Sequence, residues 1–212
     1  YEDALSPFWV HILANTFNLY NAITQQREFD PKTGSLKLNE NLATIITRPR
    51  GLHLPEAHML IDGKPVSATI FDLGMTHYIL TPEQLRRGQT PSHYIPKMEH
   101  YFESAFVSDV LTAISQESNI PKGTIKTSIL IENILATFQV AEMLHAMKEY
   151  AIAANVGRWD QTASWYHVFR NHPNMGVPDR QLVGMTLPFM MAYQKEVLRV
   201  CYEHGAQPMG GM

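Results

Sequence analysis

The sequence predicts an α/β fold on parallel strands, a (β/α)8 barrel in preference to an open doubly wound sheet, as one domain over residues 1–212. Three observations lead there. Short β-branched or apolar runs alternate with longer helix-like stretches, the pattern of βαβ units. No Gly-x-Gly-x-x-Gly or Gly-x-x-x-x-Gly-Lys-Ser/Thr follows any strand candidate, which weakens a nucleotide-binding open sheet. Charged residues also gather just after the strands, where a barrel presents its functional groups.

The strand candidates, in order, are Ala43–Thr47, Ala68–Phe71, His93–Ile95, Thr127–Ile131, Ala153–Val156, Met185–Phe189 and Ala206–Met209. Between them, Phe102, Ala105, Phe106, Val110, Leu111 and Ile114 recur at helical spacing over Tyr101–Glu117, and Asn119-Ile120-Pro121 supplies the stop. A second helix is expected over Ile134–Ala151, through Leu135, Phe138, Met143, Leu144 and Met147. A third is expected from about Phe189 to Glu203, with Met190, Tyr193, Val197, Leu198 and Cys201 inward and Gly205 beyond its end. Two stretches break the rhythm: Phe29–Asn41 carries turn signals, and Asp62-Gly63 within Leu54–Pro65 is a hairpin signal.

Composition limits the function classes. Apolar residues are 45% and charged ones 17% of the chain, which excludes a disordered tail. A net charge of -3 argues against a general nucleic-acid binder, and no apolar run is long enough to span a membrane. The single cysteine, Cys201, points to a reducing compartment and not to secretion. The chain opens at Tyr1 and stops at Met212 after two glycines, so it is expected to be an internal segment of a longer protein.

Charges that follow the strand candidates are Arg48, Asp72, Lys97 with Glu99, Glu132 and Asp160. In a barrel Glu132 and Asp160 stand on one face, and two carboxylates with room for waters and a substrate oxygen suit Mg2+. Zinc would call for Cys and His at short spacing, and His53/His58 and His93/His100 do not provide it. The structural alternative is that Glu132 caps the following helix and Asp160 pairs with Arg158. Arg48 sits in Thr47-Arg48-Pro49-Arg50-Gly51, where proline stiffens the segment. A fixed guanidinium there suits a carboxylate substrate or a developing oxyanion, and a surface ion pair is the alternative. The histidines read as ordinary surface or partly buried residues, the Met185–Met191 run as core packing, and no serine has a nucleophile-elbow setting.

Several segments together resemble the malate synthases, most closely the shorter A-type members. They are Tyr1–Pro7, Arg48–Glu56, Ile95–Glu99, Ile120–Lys126, Leu130–Glu132, Gly157–Asp160, Pro178–Arg180, Pro188–Met190 and Gly210–Met212, in order along the chain. The resemblance implies a TIM barrel whose first strand is truncated and whose C-terminal helical domain is absent. It implies a Mg2+-dependent Claisen condensation of acetyl-CoA with glyoxylate and water to malate and CoA. By position, Glu132 and Asp160 become the Mg2+ ligands, Arg48 the catalytic arginine, and Gly157, Arg158, Trp159 and Asp160 the glyoxylate cradle. Pro188 would lie near the acetyl-CoA pantetheine, and Glu2 and Asp3 would hold metal-bound waters in the outer shell. The family's base is an Asp in a Glu-Asp-Ala-Ala-Thr-like motif that these residues do not contain, so the segment alone is expected to be inactive. Leu52, Ala57, Val156 and Gln161 stand where Trp, Lys, Cys and Tyr are common, departures that bear on substrate positioning.

Two other readings compete: a malyl-CoA or citramalyl-CoA lyase, which would keep the thioester, and a non-catalytic barrel that only binds. The Arg-Pro-Arg-Gly and Gly-Arg-Trp-Asp wording favours the synthase. Partners are the two small substrates, with no nucleic acid or membrane, and the compartment is cytoplasmic in a bacterium and peroxisomal or glyoxysomal in a eukaryote.

Overall fold

The computed structural model describes residues 8–24 and 43–210. Glu2, Asp3 and the turn expected over Phe29–Asn41 lie outside the described residues. The chain gathers into two compact units: residues 1–93 with 113–126, and residues 94–112 with 127–212. Among the described residues no helix is long and apolar enough to cross a membrane.

The first unit contains helix α1 (Trp9–Ile23), strand β1 (Ile46–Thr47), the hairpin β2 (Pro55–Ile61) and β3 (Lys64–Ser67), and helix α2 (Ala68–Arg86). The hairpin turns at Asp62 and Gly63, with φ of 51° and 73°, as the Asp-Gly signal requires. Strand β4 (Ser92–Ile95) begins in this unit, and Ile46 and Thr47 pair in parallel with Ser92 and His93. The expectation of a strand at Ala68–Phe71 is wrong: these residues form the first turn of α2. The inward stripe of α2 is Ala68/Thr69, Asp72/Leu73, Thr76/His77, Leu80/Thr81 and Gln84. Its spacing is helical, but most of its members are polar, so apolar periodicity does not reveal it. Asp72 accordingly stands on a helix and not at a strand end.

The second unit holds most of helix α3 (Tyr101–Glu117), then β5 (Lys126–Ile131), α4 (Ile134–Thr137), α5 (Val140–Ala146), β6 (Ala151–Val156), α6 (Arg158–Phe169), α7 (Pro188–Glu203) and β7 (Gln207–Met209). Strand β6 pairs in parallel with β5 on one side and with β7 on the other. With β1 and β4 these strands make a parallel sheet of five. All four residues from Ile129 to Glu132 are buried, as strands covered on both faces should be.

Several details correct the sequence reading. Met185–Phe189 is not a strand: a turn leads to Leu187, and Pro188 opens α7, where its fixed φ and missing N–H cost nothing. The long helix expected from Ile134 is two short ones, α4 and α5. In α3 the buried stripe is Ser104, Val107, Leu111 and Ser115, while Phe102 and Phe106 are exposed. In α7 Val200 is inside and Leu198 is outside, because 190, 193, 197, 200 and 201 share one face.

Candidate functional site

Strands β5 and β6 end side by side within the second unit, and their register brings Ile131 opposite Val156. The next residues, Glu132 and Gly157, therefore leave the sheet together. Glu132 is buried, and its Oε1 accepts the backbone N–H of Lys97 at 2.9 Å. Lys97 has a left-handed backbone, φ 56°, uncommon outside glycine and a mark of a constrained site. Its ammonium nitrogen lies 2.8 Å from Asp160 Oδ1. Asp160, in the first turn of α6, is hydrogen-bonded to Glu132. Burial, then this facing carboxyl, pushes Glu132 up to about 8, although Lys97 pulls the other way.

Gly157 makes the arrangement sterically possible. A Cβ there would stand 2.8 Å from Glu132 Cβ and 3.0 Å from its Oε2, so only glycine fits. Its N–H donates to the Tyr193 hydroxyl at 2.8 Å, and that hydroxyl donates to the Ile131 carbonyl. Tyr193 thus ties the ends of β5 and β6 to α7, and burial holds its phenol in the protonated form. The first intrahelical bond of α6 runs from Gln161 N to Gly157 O, so the N–H groups of Arg158 to Asp160 lead the helix and form an anion-accepting terminus. Beside these groups is a cavity of about 540 Å3, lined by Lys97, Glu99, Glu132, Asn133, Asp160 and His167 among others.

Neither structural alternative for the carboxylates describes what is seen. Asn133, not Glu132, caps α4, its Oδ1 accepting Leu135 N–H at 2.8 Å. Asp160 pairs with Lys97, while Arg158 lies over the Trp159 ring, 4.4 Å from its centroid. Gln161, one of the departures from the family pattern, is buried and hydrogen-bonds Thr137, coupling α6 to α4. Pro188 starts α7 and is not among the residues lining the cavity.

The donor set fits Mg2+. It offers two hard carboxylates that oppose each other's charge, and among the described residues no third His, Cys, Asp or Glu completes a metal cluster. Mg2+ is commonly held by one or two carboxylates with the remaining positions filled by water and substrate oxygen.

Arg48 belongs to the first unit. It follows β1 directly and is half-buried. The preceding Thr47 ends a buried chain that sequence reasoning missed. Thr47 Oγ1 donates to the Ser92 carbonyl at 3.5 Å, which leaves its oxygen to accept His93 Nδ1–H at 2.7 Å. His93 Nε2 then accepts from His77 Nε2–H, and His77 Nδ1 from the Thr81 hydroxyl, each at 2.7 Å. Burial drives both imidazoles to the neutral form, His77 down to about 4 and His93 also well below its ordinary value. Arg50, two residues on, is structural: its guanidinium grips both oxygens of Asp72 and reaches Glu56 at 2.8 Å.

A parallel α/β barrel fold with an acidic strand-end centre defines the class. Residues 44–212 match the family described as "Malate synthase, TIM barrel domain". The chain belongs to the malate synthase TIM-barrel family. It is 36% identical to malate synthase A of Escherichia coli K12 and 38% identical to the bifunctional glyoxylate cycle protein of Caenorhabditis elegans, all of the chain matching in each case. It spans 40% of the first and 22% of the second. Among solved structures, the Haloferax volcanii malate synthase magnesium/glyoxylate complex aligns over 100% of this chain and 52% of that one, with a TM-score of 0.68 and 13% identity. That likeness is one of fold.

Proposed function

We propose that the chain carries the metal and glyoxylate site of a malate synthase, which condenses acetyl-CoA with glyoxylate and water to malate and CoA. The observation that carries this reading is the facing pair Glu132 and Asp160, closed over Gly157, in a chain of this family. Glu132 and Asp160 hold Mg2+. The bound ion supplies Lewis acidity to the glyoxylate carbonyl. Backbone N–H groups of Arg158 to Asp160 orient the glyoxylate carboxylate at the terminus of α6. Lys97 fixes Glu132 through its N–H and balances Asp160 with its ammonium. Arg48, assigned by its motif, neutralises the enolate that acetyl-CoA must form. Pro188, like Arg48, is assigned by its motif alone, to the pantetheine arm. The compartment is the cytoplasm for a bacterial source and the glyoxysome or peroxisome for a eukaryotic one; the Brassica napus relative, 37% identical over all of this chain, is a malate synthase named as glyoxysomal.

Calorimetric titration of glyoxylate, with and without Mg2+, tests the reading. Binding should require Mg2+ and be lost in Glu132→Ala. Mg2+-independent binding, or binding unchanged by the substitution, would remove the metal site from this pair.

A further inference from the structure

A second cavity in the second unit opens at the other end of the strands from Glu132 and Asp160. Its volume is about 130 Å3, and it lies between the turn after α5 and the turn that joins α7 to β7. Ala151, the first residue of β6, and Ala206, just before β7, belong to its wall. The far end of β6 leads into Gly157, so this cavity and the carboxylate pair stand at opposite ends of one strand. Backbone bonds close both turns. Ala151 N–H donates to the Met147 carbonyl at 2.7 Å, His204 N–H to that of Val200 at 3.0 Å, and Ala206 N–H to that of Cys201 at 2.9 Å. Gly205 takes the left-handed conformation, φ 69°, that ends α7. These carbonyls at the two helix ends are therefore already engaged.

Three basic side chains line the cavity: His145 from the last turn of α5, Lys148 from the turn after it, and His204 at the end of α7. No carboxylate does. Glu203, the neighbour of His204, is taken by Arg199, whose Nη1 lies 2.8 and 2.6 Å from its two oxygens. Among the described residues His145, Lys148 and His204 enter no ion pair. Basic groups at helix C-termini are ordinary complements to the helix dipole. Their convergence from two elements on one mostly polar cavity, in a chain of net charge -3, is not.

Two imidazoles alone would suit a transition metal, but the Lys148 ammonium on the same wall repels a cation and no carboxylate offsets it. An anion answers all three groups: the ammonium supplies charge, and the imidazoles supply N–H donors. The volume holds about four waters, which admits a compact oxyanion and excludes a bulky one. We infer that His145, Lys148 and His204 form a site for a phosphate group, free or as the end of a phosphomonoester. All three side chains are exposed, so an ester substituent is free to project into solvent. The site does not depend on the chemistry proposed for Glu132 and Asp160.

The test is titration of the 212-residue chain with inorganic phosphate and with glycerol phosphate, followed by amide NMR. Wild type is compared with Lys148→Gln and with the double variant His145→Gln/His204→Gln, and melting temperatures serve as the folding control. Phosphate should bind in the millimolar range and shift the amides of Ala151, Gly205 and Ala206. Each variant should weaken it about fivefold. Glycerol phosphate binding as tightly as phosphate would identify a site for phosphomonoesters, and binding of phosphate alone a site for the free ion. Chloride at matched ionic strength should leave these amides in place. Wild-type affinity in both variants, or an equal response to chloride, would overturn the site. Shifts confined to the amides of Arg158 to Asp160 would overturn it too, by placing the anion at the terminus of α6.

Discussion

The two units each bury acidic groups, and they treat them in opposite ways. In the first, Glu56 and Asp72 surround Arg50. Burial alone would raise Glu56, but the His58 N–H and the Arg50 guanidinium outweigh it and hold the carboxyl below its usual range. In the second, Glu132 meets another carboxyl, and its value rises to about 8. A buried charge with matched partners is a fastening. A buried carboxyl facing its own kind costs stability and persists where a cation is to be received. The same residue type, buried in both places, is fastened by a cation in one and set against a like group in the other, and the second arrangement is the one that suits the proposed cation site.

The sharpest way to break this comparison is to remove a fastening. Asp72→Ala leaves Arg50 buried without its bidentate partner and should cost about 3–5 kcal/mol in urea unfolding. A loss below about 1 kcal/mol would mean that the cluster is not what holds α2 to the segment after β1.

Acid should act next. The His77–His93 pair is neutral in the fold, with His77 near 4 against an ordinary 6.5, so the unfolded chain takes up protons first. Stability is therefore whole above pH 6.5 and falls as pH drops from there toward 4, by on the order of 3 kcal/mol from His77 alone. Urea midpoints at pH 7 and pH 4.5 measure this, and His77→Gln should flatten the dependence. Glu132 runs the other way: the folded state keeps a proton that the unfolded chain releases, so its contribution weakens as pH rises from 4.5 to about 8.

These residues also mark what the sequence discloses. Glu132 and Asp160 are legible because an apolar strand run stops at a charge, and the Asp-Gly hairpin because its turn chemistry is local. Asp72 and His77 are not, since a stripe of Thr, Asp, His and Gln carries no apolar period even when it faces inward. The roles of Lys97 and Tyr193 depend on a left-handed backbone and on a hydroxyl crossing between three elements, neither of which has a signal in residue type. The motif marks Gly157, but the reason for glycine is the position of Glu132 Cβ, which only the fold supplies.

Gly157→Ala comes third. A methyl group 2.8 Å from Glu132 Cβ must push β5 and α6 apart, at about 1–3 kcal/mol, and should displace the carboxylate and weaken Mg2+-dependent glyoxylate binding. Unchanged stability and binding would mean that the two strand ends have slack. The smallest effect is expected for Lys97→Met. It removes the ammonium that favours the ionised pair while keeping the N–H bond to Glu132, so Glu132 should titrate higher, by about one unit or less. A downward shift would show that Lys97 does not balance this pair.

The central claim, that the second unit's carboxylates form a cation site, is tested most directly by following the Glu132 carboxyl carbon by NMR as pH is varied, with and without Mg2+. The account predicts titration near 8 in the metal-free chain, and saturating Mg2+ should move it below the ordinary carboxylate value. A titration curve that Mg2+ leaves in place would contradict it.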